Sequence, residues 1–347
     1  MFKRSIKIIF ESLFILIISL LLICNDLVLY GIAQGKGQLS IVWNAQPIEK
    51  IIHDPDFSDS VKQRLHYITE IKQYAIDSLG IAPSENYSAF YLQNGKPKLI
   101  TVSACEPFSF KAKEWTFPFL GTVSYKGFFN KKDAQKEIRK LKLEGYDVDS
   151  YVPSGWSTLG WFKDPVLSNM LSRSDGSLAN LIIHELTHGT LYVRNNVTFN
   201  ENLASFIGDK GAEQFLIKKF GSNSKPYINY EQSKTDEKIY NDYILDCTAR
   251  LTKLYSSFKS GDSEELKKEK KTKMITEIVL GVNRLTLSQK KRYFKYSLQA
   301  FAEGNSFFMS FQRYDSQYEK FEKEYEKTYH SDIKEYLNAM KEKYPSL

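Results

Sequence analysis

The segment HELTH at residues 184–188 constrains this chain more than any other stretch. His184 and His188 are four residues apart, and Glu185 follows the first of them. An α-helix turns once in about 3.6 residues, so side chains at this spacing project from one face. Apolar residues recur at helical spacing in LANLIIHELTHGTL, and Ser177 is a candidate N-cap. The segment therefore predicts a helix that presents both imidazoles to a common point.

Two histidines at this spacing are suited to one tetrahedral zinc ion, with Glu185 beside a water on the metal. The chain has five histidines in 347 residues, so this pattern seldom arises by chance. The alternative is a pair of core histidines, whose buried polar rings would each need a hydrogen-bond partner.

A third ligand is predicted in the next helical segment, TFNENLASFIG. There Asn200, Glu201 and Ala204 form an N-E-x-x-A pattern. Two histidines and a glutamate, with water in the fourth position, make a catalytic zinc set, whereas a structural zinc has four protein ligands. Taken alone, Glu201 would be an exposed helical glutamate. Beside the histidine pair, it is the favoured ligand.

Residues 1–34 are predicted to be a targeting or anchoring segment. Basic residues at positions 3, 4 and 7 precede the apolar run ESLFILIISLLLIC, an order that keeps the N-terminus cytoplasmic. A signal peptide cleaved after Ala33, a lipoprotein signal with Cys24 lipidated, and an uncleaved anchor over residues 8–32 all remain open, and a buried soluble helix is the alternative. We favour a single anchor in the cell membrane, with the catalytic part extracytoplasmic, in the periplasm.

The remainder, residues 35–347, is predicted to form one domain with a mixed α/β part (35–165) and a metal-binding, helical part (166–347). Helices are expected in DSVKQRLHYITEIKQYAIDSLGI, ending at Gly80, and in NKKDAQKEIRKLKLEGYDV, ending at Gly145. Short β-like runs such as WTFPFLGTVSY lie between them. The charged run at 259–273 is expected to be a solvated loop or helix end, and the segment YEKFEKEYEKTYHSDIKEYLNAM an amphipathic helix with His330 at its surface.

Charge and cysteine content say little more about partners or disulfide bonds. The net charge of +7, from 48 basic and 41 acidic residues, is spread without a basic block, and no nucleic-acid partner is predicted. Cys105 and Cys247 could form a disulfide outside the cytoplasm, but two buried free thiols are favoured. Nothing in the sequence indicates an oligomeric state.

The order of these motifs carries a resemblance. The HExxH helix followed by an N-E-x-x-A helix is similar to the gluzincin metallopeptidases, and the chain resembles the bacterial putative aminopeptidase family. The matching segments are GQLSIVWNAQPIEKII, WTFPFLGTVSYKGFF, EGYDV, STLGWFKDPVL, HELTHGTLYV and FNENLASFIG. The resemblance to the family is good over residues 35–215 and poor over the C-terminal third. The resemblance implies an α+β fold, with a zincin-like catalytic region that combines the HExxH helix with a short antiparallel sheet, and an exported or membrane-associated zinc peptidase.

The expected mechanism follows from these parts. Zn²⁺ held by His184, His188 and Glu201 would activate a water, and Glu185 would act as the general base. A donor for the developing oxyanion is also needed. In gluzincins this is a Tyr or His outside the metal helices, and the resemblance points to Tyr314 in GNSFFMSFQRYD.

The chain departs from its relatives in two places. Family members tend to carry cysteines where this chain has Thr116 and Thr122. Many gluzincins place an acid four residues after the glutamate ligand, where this chain has Ser205. Asp209 or Glu213 could orient a histidine in its place.

The run Ser157–Phe162 is a candidate substrate-binding strand, since peptide substrates commonly add to a sheet edge. Gly160 and Trp161 would then contact the peptide, although a core strand with a packed Trp161 is the alternative. A membrane-tethered zinc-containing binding or scaffold protein, and a zinc hydrolase acting on a non-peptide amide or ester, remain open as functions. Aminopeptidase and endopeptidase activity are not distinguished.

Overall fold

The structure, a computed structural model, describes residues 25–94, 99–117, 121–153, 163–194, 196–311 and 318–344. Most of the predicted anchor lies outside these ranges. Within them, no helix is both long enough and apolar enough to cross a membrane.

Helices make up most of the described chain. In chain order the α-helices are α1 (Asn25–Asn44), α2 (Ile48–His53), α3 (Asp59–Leu79), α4 (Lys131–Leu143), α5 (Asp175–His188), α6 (Val197–Phe220), α7 (Lys225–Ser256), α8 (Glu264–Gly281), α9 (Lys290–Ser297), α10 (Ala300–Glu303), α11 (Asn305–Phe311), α12 (Tyr318–Thr328) and α13 (Ile333–Lys343). The strands are β1 (Gln46–Pro47), β2 (Ala89–Tyr91), β3 (Ile100–Cys105), β4 (Trp115–Phe117), β5 (Gly121–Val123), β6 (Lys126–Phe128), β7 (Asp147–Tyr151) and β8 (Val166–Leu167).

The strands form small, separate sheets. Strand β2 pairs antiparallel with β1 and parallel with β8. Strand β3 lies between β6 and β7 and is antiparallel to both. Strands β4 and β5 form a hairpin in which Thr116 lies opposite Thr122, with their hydroxyl oxygens 3.0 Å apart. The mixed α+β class is confirmed, with mostly helical structure and short sheets.

Two predicted helix ends are confirmed. Helix α3 begins after Ser58, whose side chain accepts a hydrogen bond from the backbone N–H of Val61. It ends at Gly80, with φ 76°. Gly145, with φ 85°, follows α4 in the same way. A left-handed residue just beyond the last turn ends a helix, and glycine adopts that conformation without steric cost.

The C-terminal segment is two helices rather than the single one expected. His330 and Ser331 have φ values of 48° and 64°, which no right-handed helix accommodates. Asp332 then caps α13 by accepting a hydrogen bond from the backbone N–H of Glu335 at 2.9 Å. His330 is exposed, as predicted.

The charged run 259–273 is mostly exposed and contains a helix end, as expected, and Lys271 is the exception. The run supplies the first half of α8, and Lys271 is only 8% exposed. The Lys271 ammonium contacts the Asp147 carboxylate and donates to the Pro107 carbonyl at 2.8 Å. A buried ammonium needs such partners, and they come from a part of the chain far away in sequence.

Buried apolar side chains form three clusters. The first surrounds α5 and α6 and includes Ile183 and Phe206, together with residues of the N-terminal helices α1 to α3 and the C-terminal helices α12 and α13. The second lies mainly between α7, α8 and α11, and the third between the β3 sheet and α4. Cys105 and Cys247 are buried free thiols, as predicted. The helices that carry the predicted ligands therefore lie inside the first and largest cluster.

Candidate metal centre

Helix α5 carries both predicted histidines, and Ser174 determines where it begins. The Ser174 side chain accepts a hydrogen bond from the backbone N–H of Ser177, and its own backbone is extended. Asp175 in the first turn pairs with Arg64 and interacts favourably with the helix dipole. The assignment of Ser177 as the N-cap is therefore wrong, because the helix begins about one turn earlier.

The two histidines differ in exposure. Most of the other α5 side chains pack into the first core, including the fully buried Ile182 and Ile183. His188 is buried and His184 is half-buried. The helix thus holds both rings at its inner edge, with limited access for solvent.

Helix α6 places Glu201, and Asn200 fixes the preceding connection. The backbone N–H of Val193 donates to Asn200 Oδ1 at 2.8 Å, and Asn200 Nδ2 donates to the Val193 carbonyl at 2.9 Å. Asn196 caps the helix by accepting from the backbone N–H of Phe199. The loop between α5 and α6 is thereby tied to the first turn of α6, directly beside the predicted ligand.

The three predicted ligands come together. His184 Nε2 and His188 Nε2 are 3.2 Å apart. Glu201 Oε2 lies 3.6 Å from His184 Nε2, and Glu201 Oε1 lies 3.6 Å from His188 Nε2. Ligand atoms bonded to zinc at about 2.1 Å in a tetrahedral arrangement are separated by about 3.4 Å. The side chains therefore fit one zinc-sized ion, and no other such group of three occurs within the described residues.

A close approach of α5 and α6 makes this convergence possible. Gly208 follows Glu201 by about two helical turns, on the same face. A Cβ atom at Gly208 would lie 3.0 Å from the Asn180 carbonyl oxygen and 3.0 Å from His184 Cβ. Any larger residue would push the two helices apart at the level of the first histidine.

The two glutamates of the site have opposite pKa shifts. Burial alone would raise the pKa of Glu201, but favourable interactions with the nearby imidazoles of His184 and His188 lower it well below its ordinary value. Burial raises the pKa of Glu185, although the same histidines oppose the shift. The carboxylate that faces the histidine nitrogens is thus favoured as an anion, whereas Glu185 is favoured as a proton acceptor.

Asp209 and Glu213 do not substitute for the acid that orients a histidine. Asp209 accepts hydrogen bonds from Tyr230 and Tyr318, and Glu213 pairs with Lys234. His188 Nδ1 is buried and has no hydrogen-bond partner among the described residues. A second interaction that fixes this ring, common for metal-bound histidines, is thus missing from the described contacts.

Two residues near Glu185 were not predicted. Asp164 and Tyr87 are buried, and the Tyr87 backbone N–H donates to the Asp164 carbonyl at 2.6 Å. Asp164 raises the pKa of Glu185 further, after the effects of burial and of the site's other charges. Tyr87 has φ 59°, which is unusual for a bulky residue. No local pattern in the sequence indicates that these residues approach the site.

The remaining predicted residues lie outside the described ranges. Tyr314 falls between α11 and α12, and Gly160 and Trp161 fall between β7 and β8. The proposed oxyanion donor and substrate strand therefore stay predictions.

The described residues provide two imidazole nitrogens and a carboxylate facing one point, with a second carboxylate next to them on α5. Such a set can bind a divalent metal through nitrogen and oxygen and leave a coordination position open. The neighbouring carboxylate can accept a proton from a water at that position.

Comparison with known proteins agrees with the sequence motifs. The family model described as putative aminopeptidase matches residues 29–344, which includes the C-terminal third where the motifs showed little similarity. No curated protein and no solved structure matches the chain. From its N-terminal helix to α13, the chain belongs to the putative aminopeptidase family.

Proposed function

We propose that this protein is a zinc-dependent peptidase of gluzincin type. The observation that supports it is the convergence of His184, His188 and Glu201 at distances suited to one tetrahedral ion. Zinc bound there would act as a Lewis acid towards the scissile carbonyl and lower the pKa of a water molecule.

The protein's own residues would perform the proton transfers. The Glu185 carboxylate would accept a proton from the attacking water and deliver it to the nitrogen of the leaving amine. Its half-buried position limits competing water. Tyr314 remains the proposed donor to the oxyanion, and Gly160 and Trp161 the proposed contacts to the peptide.

Family membership supports aminopeptidase activity. An aminopeptidase recognises a free α-amino group, so peptides with an unblocked N-terminus should be cleaved and acetylated ones should not. We also propose that the N-terminal segment tethers the protein to the cell membrane with the catalytic part in the periplasm, because basic residues precede its apolar run.

The first test measures metal content by elemental mass spectrometry on the full-length protein in detergent. Wild type should contain about one zinc per chain, and Glu201→Gln should bind it at least about 10-fold more weakly because one anionic ligand is lost. Glu265→Gln, the same change at an exposed residue of α8, is the matched control. Equal zinc in wild type and Glu201→Gln would remove Glu201 from the ligand set.

The second test separates binding from chemistry. Glu185→Gln should keep its zinc and lose hydrolysis of unblocked peptides by about 100-fold or more, since general-base catalysis contributes on that order. Full activity with zinc bound would contradict the assignment of Glu185 as the base.

A further inference from the structure

A buried hydrogen-bond network centres on Asp209 of α6. The Tyr230 hydroxyl donates to Asp209 Oδ1 at 2.8 Å, and the Tyr318 hydroxyl donates to Oδ2 at 2.5 Å. Lys234 Nζ lies 3.2 Å from Oδ2. Asp209 is 8% exposed and Tyr230 is 7% exposed. The network thus joins α6 to α7 through Tyr230 and Lys234, and to α12 through Tyr318.

The same network reaches helix α5. Asn180 Nδ2 donates to the Tyr230 hydroxyl at 2.9 Å, and Asn180 lies one helical turn before His184. One turn earlier still, the Tyr230 ring covers Gly176, where a Cβ atom would come within 2.4 Å of the ring. The Tyr230 hydroxyl therefore bridges Asn180 of α5, the helix that carries both histidines, and Asp209 of α6, the helix that carries Glu201.

This bridge lies directly beside a close contact between the two helices. Gly208, which approaches His184, immediately precedes Asp209. Holding the Asp209 side chain fixes the rotation of α6 about its own axis, and Glu201 is on the same helix. A buried carboxylate is tolerated only when its hydrogen bonds are satisfied. Loss of one hydroxyl would therefore favour a small rotation or shift of α6 that restores solvation.

We propose that Asp209 and Tyr230 are positioning residues for the metal centre. No described hydrogen bond or ion pair joins them to the three ligands. They set the register of α5 against α6, on which the convergence of the three ligands depends. This inference rests on the proposed zinc binding. In this proposal Asp209 positions helix α6, whereas the sequence suggested that it could orient a histidine.

The test is zinc affinity, measured on full-length protein in detergent by competition with a chromophoric chelator. Tyr230→Phe keeps the ring on Gly176 and removes the bridging hydroxyl. It should raise the zinc Kd by about 10-fold, the lower end of the range for residues that support metal ligands. Thermal unfolding of the zinc-free proteins measures any general loss of stability separately.

Tyr255→Phe is the matched control. Its buried hydroxyl donates to Asn305 Oδ1 at 2.7 Å in the second core, away from the metal helices. This variant loses the same kind of bond and should keep the wild-type zinc Kd. Should Tyr230→Phe fail to fold, Tyr318→Phe removes the other hydroxyl from Asp209 and should weaken zinc binding in the same direction.

The outcomes are distinguishable. A zinc Kd unchanged in a folded Tyr230→Phe or Tyr318→Phe protein, or raised equally in Tyr255→Phe, would overturn the positioning role while leaving the proposed function intact. Absence of zinc binding in wild type would overturn the proposed function and this inference together.

Discussion

At the scale of single residues, Asn200 gives Glu201 its place. Its amide accepts from and donates to the backbone of Val193, so a single side chain satisfies two groups of the loop between the metal helices. Two hydrogen bonds fix the orientation of the Asn200 side chain more strictly than one would, because rotation about either bond breaks the other.

Asn200→Ala should lower the free energy of unfolding by about 2 kcal/mol, since it leaves two backbone groups without their partners. Chemical denaturation measures the change. Asn44→Ala is the control, because Asn44 donates to the Ser40 carbonyl from an exposed position. That change should alter stability by less than about 0.5 kcal/mol. Equal effects of the two substitutions would show that the Val193 contact adds nothing.

At the scale of secondary-structure elements, the contact between α5 and α6 decides whether the ligands meet. Gly208 faces His184 and the Asn180 carbonyl, and Gly211 faces Ile183. Protein interiors are close-packed, so even one added methyl group at such a contact lowers stability, because there is no free volume for it.

Gly208→Ala should lower stability by about 1–2 kcal/mol, because overpacking outweighs the helix propensity gained. It should also weaken zinc binding, since it displaces α6 from His184. Gly35→Ala is the control, because that glycine is in helix α1 with nothing within 4 Å of an added Cβ. Its stability should be unchanged or higher by up to about 1 kcal/mol. A stabilised Gly208→Ala with wild-type zinc affinity would contradict the close-approach argument.

At the scale of the whole molecule, buried polar contacts join the second core to the β3 sheet. Asn305 is fully buried. Its backbone N–H donates to the Asp147 carboxylate, and its side chain donates to the Glu106 and Ser109 carbonyls. The segment GNSFFMSF, singled out for its resemblance to relatives, therefore includes a structural contact whatever the role of Tyr314.

The pH dependence of stability should show a contribution from Glu303. Burial, together with the nearby Asp149, raises its pKa from 4.5 to about 8, and Lys142 opposes this in part. Between these values the folded state holds a proton that the unfolded state releases, so stability falls as pH rises from about 4.5 to about 8. The full shift corresponds to about 5 kcal/mol. Because the side chain is half-exposed, solvent screening reduces the expected loss to about 1–2 kcal/mol.

Glu303→Gln removes this titration, so its stability should fall less than that of wild type between about pH 5 and about pH 9. Urea denaturation at both values measures the difference. Glu265→Gln, at an exposed position, should keep the wild-type dependence. A wild-type pH dependence in Glu303→Gln would exclude this contribution.

Local sequence determined the parts of the site that depend on spacing along one helix. The pair His184 and His188 could be predicted because a helix of about 3.6 residues per turn brings such positions to one face. Glu201 could be predicted because the residue types of a zinc set are few. The helix ends at Gly80 and Gly145 followed from the left-handed conformation that glycine permits.

Tertiary structure alone decided how those parts meet. The contacts of Asn200 with Val193, of Gly208 with His184, and of Asp209 with Tyr230 join side chains on different helices or across a loop. Their partners are set by helix packing, and a hydrogen bond of this kind leaves no periodic signal in the residues that make it. The sequence determines which side chains could bind a metal, whereas the packing of α5, α6 and α7 determines that they converge on one point.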